Sequence, residues 1–197
     1  MLRVLITRHG QSEWNALGRW QGQADPPLSE LGVTQARGAA PAIGGFDAVI
    51  ASDLERARTT AVILADAIGI GPVLVEPRLR ERDAGEFSGL TRPEIEDRFP
   101  GYLASERRPP GWESDEALVE RILGALAELA VAIGSGDVLA VAHAGVIYAL
   151  EGHLGRPLER IPNLGGRWFE RHGDGWRLGD RVVLVPDDIP HEIPDVQ

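Results

Sequence analysis

The stretch Val4-Leu5-Ile6-Thr7-Arg8-His9-Gly10 decides the fold predicted for this chain. Its apolar half has the length and the β-branched content of a buried strand, and the stretch ends at an arginine, a histidine and a glycine. In open α/β sheets, ligands bind in the crevice beyond the carboxyl ends of the strands. The stretch therefore predicts a strand that delivers a reactive histidine to such a crevice.

A second stretch repeats this design, because the apolar run over residues 137–142 ends directly at His143. Between the two stretches, short apolar runs at residues 47–51 and 73–75 alternate with segments of helical spacing such as 53–68. Strands that alternate with helices are typical of a parallel sheet covered on both faces. We therefore predict an α/β fold, a three-layer α/β/α sandwich with a mostly parallel central sheet.

Length and composition predict one globular domain. The chain has 197 residues, of which 43% are hydrophobic and 25% charged, and this length suits a single core. We expect one domain over residues 1–185. Residues 186–197 are acidic and contain three prolines, which predicts a loose tail. The proline-rich and glycine-rich stretch 99–112 is interpreted as a surface insertion that covers the site.

The charge balance limits the partners. A formal net charge of -10 argues against nucleic acid or an anionic membrane surface, because both require a basic footprint. No apolar run approaches membrane-spanning length. We expect a soluble protein of the cytoplasm in which any phosphate site is local.

Two residue types are missing from the chain. Cysteine is absent, which excludes disulfides, thiolate metal sites and cysteine nucleophiles. All twenty basic residues are arginine, so P-loop lysines, Schiff-base lysines and lysine general bases are excluded as well. Anions must therefore be bound by guanidinium groups.

The predicted topology brings side chains of catalytic type to one edge of the sheet. Arg8, His9, Arg56, Glu81 and His143 each follow the carboxyl end of a predicted strand. Guanidinium groups bind phosphate oxygens bidentately, and a neutral imidazole attacks phosphorus without help from a metal. A carboxylate such as Glu81 would protonate the leaving oxygen and later activate water. These residue types indicate a site for a phosphoryl group.

The same residues lie in motifs that resemble the histidine phosphatase superfamily, in its phosphoglycerate mutase-like branch. The resemblance runs from Leu2 to about Leu150. Its motifs occur in the family's order: Arg8-His9-Gly10-Gln11-Ser12-Glu13-Trp14-Asn15, Ser52-Asp53-Leu54-Glu55-Arg56-Ala57, Leu79-Arg80-Glu81, Gly89-Leu90-Thr91 and Ala142-His143-Ala144-Gly145.

The resemblance implies a role for each matching residue. His9 would be the nucleophile, Glu81 the proton donor, and Arg8, Arg56 and His143 the groups that hold the phosphoryl group. Further contacts to phosphate or substrate are implied for Asn15, Gln21, Gly22 and Ala144. The implied substrate is a small phosphorylated molecule. The resemblance implies neither a cofactor nor a metal, and a homodimer is compatible with it.

The sequence departs from the family's pattern at two positions. Ala144 stands where glycine is usual, and Tyr148 stands where many relatives carry arginine. The cofactor-dependent mutases also have an asparagine-lysine pair in place of Leu90-Thr91 and a longer basic insertion, which favours a phosphatase here. Whether Trp20, Trp112, Arg107 and Arg108 line the substrate pocket is left open by the sequence.

Three alternatives compete with a metal-independent phosphatase. A phosphoglycerate mutase would move phosphate within phosphoglycerate rather than release it. A metallohydrolase would use His9, His143, Glu81 and Asp53, although the usual zinc spacings are missing. A phosphate-binding module would keep the pocket without turnover, which the presence of both His9 and Glu81 disfavours.

Overall fold

The structure is a computed structural model that describes residues 1–191. Six strands and six helices follow one another along these residues. The strands are β1 (Leu2–Arg8), β2 (Ala48–Ala51), β3 (Leu74–Val75), β4 (Gly136–Ala142), β5 (Gly165–His172) and β6 (Gly175–Val183). The helices are α1 (Glu13–Ala16), α2 (Glu30–Ala39), α3 (Glu55–Ile68), α4 (Arg92–Arg98), α5 (Asp115–Ile133) and α6 (Ala144–His153).

The strands form one mixed sheet in the order β3-β2-β4-β1-β5-β6. Strands β1 to β4 are parallel, with Leu5 opposite Leu139 and Val49 also opposite Leu139 on its other side. Strand β5 alone runs antiparallel to its neighbours β1 and β6. The carboxyl ends of β1, β2 and β4 therefore lie side by side at one edge of the sheet.

Alternate residues of the central strands supply two separate cores. Val138, Ala140 and Ala142 of β4 pack with α5 and α6 on one face of the sheet. Leu139 and Val141 pack with α3 on the other face. This alternation follows from the two-residue period of a strand. The predicted three-layer α/β/α sandwich is confirmed.

Helix starts follow the capping signals of the sequence. The hydroxyl of Ser29 accepts from the Gly32 N–H at the start of α2, and Ser114 does the same for Ala117 at the start of α5. Gly69 ends α3 in the left-handed region, with φ 70°, a conformation that glycine adopts without steric cost.

The structure differs from the predicted elements in three places. The glycines and prolines of residues 13–28 predict a long irregular loop, but this stretch begins with the short helix α1, which Ser12 and Asn15 close with reciprocal hydrogen bonds. The sequence after His143 predicts a helix over residues 146–154, but helix α6 already starts at Ala144, directly after His143. The third strand keeps only two residues at an edge of the sheet, where pairing exists on one side only.

A third, smaller core lies under the predicted insertion. Trp20, Phe87 and Ile95 are buried in it, and Phe99 and Trp112 pack against them. The ring centroids of Trp20 and Phe87 are 5.6 Å apart in an edge-on arrangement, which is a favourable geometry for aromatic pairs. This core gives the segment after β3 a fixed shape beside the edge of the sheet.

The predicted tail begins with residues that contact the domain. Gln35 donates from Nε2 to the Pro190 carbonyl at 2.7 Å, and Ile189 packs against the core on the α3 side. Residues 192–197 of the predicted tail lie outside the described residues, so for them the prediction stays a prediction.

Substitution of Gly32 by alanine tests the packing of the loop after β1 against α2. A Cβ at Gly32 would overlap the Gln11 carbonyl oxygen, which is rigid backbone. We expect Gly32→Ala to lower the free energy of unfolding by about 1–3 kcal/mol, measured by urea denaturation. Gly44→Ala is the matched control, because a Cβ there meets nothing within 4 Å. Equal stability of the two variants would contradict this packing.

Candidate active site

Five buried side chains meet at the carboxyl edge of the parallel strands. Arg8 ends β1 and His9 follows it, Arg56 lies in the first turn of α3, and His143 joins β4 to α6. Glu81 follows the helical turn after β3. None of the five is more than 3% exposed. The structure thus brings together the five residues that the topology predicted would converge.

The hydrogen bonds of His9 determine which ring nitrogen carries the proton. Nδ1 lies 2.5 Å from the Gly10 carbonyl oxygen, which can only accept, so Nδ1 is the donor. Nε2 is then unprotonated, and its lone pair accepts from Arg56 Nε at 3.2 Å. The imidazole is therefore neutral, with Nε2 available as a nucleophile.

Burial and positive neighbours keep both histidines neutral. The pKa of His9 lies well below its ordinary value, first because the ring is buried and then because Arg56 and Arg8 repel a proton. The pKa of His143 is lowered for the same reasons, with burial again the largest cause and Arg56 the next. A neutral imidazole is the form that attacks phosphorus.

Arg8 and Arg56 are buried cations that form no ion pair with a carboxylate among residues 1–191. Arg56 donates to the carbonyls of Ala24 at 2.7 Å and Gly22 at 3.0 Å, and Arg8 donates to the Ile161 carbonyl at 3.0 Å. Burial lowers the pKa of Arg56 to about 10 and also lowers the pKa of Arg8. Because a buried charge without a counter-ion costs free energy, this arrangement suits an anion such as phosphate.

Several buried nitrogens at this site have no partner in the described part of the chain. They are both ring nitrogens of His143 and Nε of Arg8. The ring of His143 stands edge-on to His9, with centroids 5.1 Å apart. Buried polar atoms in native proteins are nearly always hydrogen-bonded. The free nitrogens therefore indicate a polar ligand beside His9.

Glu81 lies against the start of α6. Its carboxylate accepts from the Gly145 N–H at 3.2 Å and from the Arg82 N–H at 2.7 Å. A Cβ on Gly145 would overlap a Glu81 carboxylate oxygen, so glycine is needed for this approach. The carboxylate also lines the large cavity of the molecule, where it can reach a bound ligand.

The four further predicted contact residues have different surroundings. The Asn15 carboxamide oxygen accepts from the Ser12 N–H and caps α1, and the Gln21 carboxamide oxygen accepts from the Ser12 hydroxyl. The carbonyl of Gly22 accepts from Arg56, which ties this loop directly to the site. Ala144 is buried as the first residue of α6, next to His143.

A cavity of about 1070 Å³ opens beside Glu81 and Gly145. Its wall includes Trp20, Trp112, Arg108 and Tyr148. Arg107 is not in this wall, because its guanidinium lies over the ring of Tyr102, 4.1 Å from the centroid. The sequence did not decide whether Arg107 and Arg108 line the pocket; in the structure Arg108 does and Arg107 does not.

Two residues that the sequence did not single out hold the backbone around His9. The Gly10 N–H donates to the Thr60 hydroxyl at 3.1 Å, and Asn163 Nδ2 donates to the His9 carbonyl at 2.9 Å. Thr60 follows Arg56 by four residues and so lies on the same helix face. This spacing could have predicted from the sequence that Thr60 lies near the site. Asn163 lies 154 residues from His9, and no local pattern marks it.

The residues of the metallohydrolase alternative are not arranged as metal ligands. Asp53 is paired with Arg80 through two hydrogen bonds, at 2.7 Å and 2.5 Å. Among residues 1–191 there is no group of three or more histidine, aspartate or glutamate side chains that could hold a metal ion.

The helices of residues 1–191 were also compared with the length and apolarity that a membrane span requires. None of them meets both requirements.

The neutral state of the two buried histidines predicts an acid-sensitive fold. Their lowered pKa values mean that the unfolded chain binds more protons below about pH 6.5. Stability is then complete above that pH and falls as the pH drops, by up to about 1.4 kcal/mol per pH unit for each histidine. Urea denaturation between pH 5 and pH 8 measures this slope, and His143→Gln should make it shallower. An unchanged slope would contradict a neutral His143.

Comparison with known proteins agrees with this geometry. Residues 4–180 match the model of the histidine phosphatase superfamily, branch 1. The glucosyl-3-phosphoglycerate phosphatase of Mycolicibacterium vanbaalenii is 40% identical, over 90% of this chain and 87% of its own length. The metal-independent phosphoserine phosphatase of Arabidopsis thaliana is 34% identical, over 75% of this chain and 66% of its own.

A solved structure shares the fold at similar identity. The mycobacterial glucosyl-3-phosphoglycerate phosphatase in complex with VO3 superimposes with a TM-score of 0.82 and 35% identity. The match covers 90% of this chain and 97% of that one. The chain belongs to the histidine phosphatase superfamily.

Proposed function

We propose that this phosphoric monoester hydrolase cleaves small-molecule phosphomonoesters without a metal, through a phosphohistidine intermediate on His9. One observation carries the proposal. A neutral imidazole with an unprotonated Nε2 lies against two buried arginines that form no direct ion pair within residues 1–191. A phosphoryl dianion supplies the missing negative charge, and Nε2 is the nucleophile beside it.

In the first step, Nε2 of His9 attacks phosphorus and the bond from phosphorus to the ester oxygen breaks. Arg8, Arg56 and His143 neutralise the charge on the remaining phosphoryl oxygens. Protonated Glu81 donates its proton to the ester oxygen, which leaves as an alcohol. The unpaired nitrogens of His143 and Arg8 support this role, because phosphoryl oxygens are the acceptors they lack.

In the second step, the Glu81 carboxylate takes a proton from water, and the resulting hydroxide attacks the phosphohistidine. The bond between phosphorus and Nε2 breaks, and inorganic phosphate leaves. The proton taken from water stays on Glu81, which is then ready to protonate the next leaving group. Glu81 is suited to both tasks because it lines the cavity through which an alcohol would leave and water would enter.

The organic part of the substrate would occupy the cavity beside Glu81. A volume of about 1070 Å³ slightly exceeds the range that is usual for small-molecule sites, about 300–1,000 Å³. The aromatic walls Trp20 and Trp112 favour a leaving group with surface to pack against them. Glucosyl-3-phosphoglycerate and phosphoserine, named in the relatives above, are the first substrates to compare.

A substrate panel tests the reaction. We expect phosphate release from p-nitrophenyl phosphate, phosphoserine or glucosyl-3-phosphoglycerate with chelator present, and a loss of more than about 10³-fold in His9→Ala. His172→Ala is the matched control, because His172 is exposed at the end of β5. Conversion of 3-phosphoglycerate to 2-phosphoglycerate without phosphate release would indicate a mutase. Loss of activity with chelator would indicate a metalloenzyme.

Leaving-group dependence tests the role of Glu81. An alkyl phosphate needs a proton on its leaving oxygen, whereas p-nitrophenolate leaves readily without one. We expect Glu81→Gln to slow hydrolysis of an alkyl phosphate by about 10²–10⁴-fold and to slow formation of the phosphoenzyme from p-nitrophenyl phosphate far less. Single-turnover rates on both esters measure the difference. Equal losses on the two esters would rule out a proton donor at Glu81.

A further inference from the structure

The segment Ile161–Leu164 forms hydrogen bonds with Arg8, the last residue of β1, and with His9, which follows it. The reaction steps proposed above do not use this segment. Asn163 Nδ2 donates to the His9 carbonyl at 2.9 Å. The Leu164 N–H donates to the Arg8 carbonyl at 3.1 Å, and the Ile161 carbonyl accepts from the Arg8 guanidinium. One short segment thus contacts the proposed nucleophile and a proposed phosphate ligand at the same time.

Asn163 completes the fixation of the main chain around His9. The His9 N–H donates to the Ala142 carbonyl at 3.1 Å, the Gly10 N–H donates to Thr60, and the Gly10 carbonyl accepts from His9 Nδ1. The His9 carbonyl is the remaining polar group of this turn, and Asn163 binds it. With all four groups bonded, the imidazole is held through its own backbone as well as through its ring.

The backbone next to Asn163 is strained in a way that favours this contact. Leu164 has φ 55° although it is not glycine, and its side chain is fully buried. Such a conformation is unfavourable for a bulky residue and persists where the surroundings impose it. Here the Leu164 N–H donates to the Arg8 carbonyl, and the Leu164 carbonyl accepts from the Leu184 N–H. Strain at this position accompanies the turn that presents Asn163 to His9.

The other end of the segment is fixed by Tyr148, one of the two departures from the family's pattern that the resemblance implied. Its hydroxyl accepts from the Ile161 N–H at 2.8 Å, while the carbonyl of Ile161 accepts from Arg8. The Ile161 residue therefore links Tyr148 to the guanidinium of Arg8. Tyr148 also lines the substrate cavity.

A buried ion network anchors the chain just before Ile161. Glu151 is 1% exposed and accepts from Arg181 and Arg167. Arg181 also donates to the carbonyls of Glu159 at 2.8 Å and Arg160 at 3.2 Å. This network joins α6 and the last strands to the segment, so the segment is not a free loop.

We infer that Asn163 is a positioning residue for the nucleophile His9 and that Tyr148 is a positioning residue for Arg8, both acting through the segment Ile161–Leu164. The inference rests on the proposed function, because positioning has meaning only if His9 attacks phosphorus. A misplacement of about 1 Å in a reacting group costs about 100-fold in rate. Loss of the Asn163 contact therefore acts on the rate at which His9 is phosphorylated and leaves the phosphate pocket in place.

Rapid-quench measurement of phosphoenzyme formation from p-nitrophenyl phosphate tests the inference. We expect Asn163→Ala to lower the phosphorylation rate constant about 10- to 100-fold, with the amplitude and the inhibition constant for orthovanadate unchanged. Asn163→Asp keeps the shape of the side chain without the amide donor, so it should be slow as well. If Asn163→Ala fails to fold, Asn163→Asp tests the same prediction.

Tyr148→Phe provides the contrasting variant. It leaves the Ile161 N–H without its acceptor, so the Ile161 carbonyl holds Arg8 less firmly. We expect the inhibition constant for orthovanadate to rise about 3- to 10-fold and the phosphorylation rate constant at saturation to change less than in Asn163→Ala. Identical effects of the two variants on both constants would overturn the inference.

A destabilised control separates positioning from folding. Ile122→Val removes a methyl group from a core position that does not line the cavity, and should affect neither constant. If Asn163→Ala loses only amplitude, or keeps the parent rate, Asn163 is a structural residue and the inference fails. If the parent itself forms no acid-labile phosphoenzyme, the proposed function fails instead, and the two failures are thereby distinguished.

Discussion

The burial of two guanidinium groups beside a neutral imidazole is the constraint on which the rest of the structure depends. Arg8 and Arg56 have carbonyl partners but form no direct ion pair among the described residues. The charge of Glu81 acts on both from a distance, so their burial is only partly compensated. The loop at Gly22 and the segment at Ile161 are shaped to bring these carbonyls to the arginines. Burial is the largest cause of the low pKa of His9, and the arginine charge that lowers this pKa further is also the charge that a phosphoryl group would neutralise.

The convergence of the five buried residues could be predicted because parallel strands impose it. A residue that follows the carboxyl end of such a strand must lie at one edge of the sheet, so His9, Arg56 and His143 needed only a correct assignment of β1, β2 and β4. Glycine at position 145 could be expected to allow a close approach, but not the approach of Glu81 in particular. The catalytic roles of these residues stay predictions until kinetics tests them.

The remaining parts of the site depend on contacts between distant segments, which periodicity and capping signals do not report. Asn163 reaches His9 across 154 residues, and strand β5 reverses direction to pair with β1. The wall of the cavity combines Trp20 from an early loop, Arg108 and Trp112 from the insertion, and Tyr148 from α6. The sequence drew attention to each of these residues, but it did not predict that they lie next to one another in the fold.

The pairing of β1 also has a consequence for the order of events during synthesis. This strand carries His9 at its end, yet its two neighbours in the sheet, β4 and β5, begin only at Gly136 and Gly165. An emerging chain therefore cannot complete the central sheet until most of it has left the ribosome, and such long-range pairing is slow to form. The proposed nucleophile therefore leaves the ribosome long before the strands that fix its position, and the site around His9 can form only after residues 136–172 have been made.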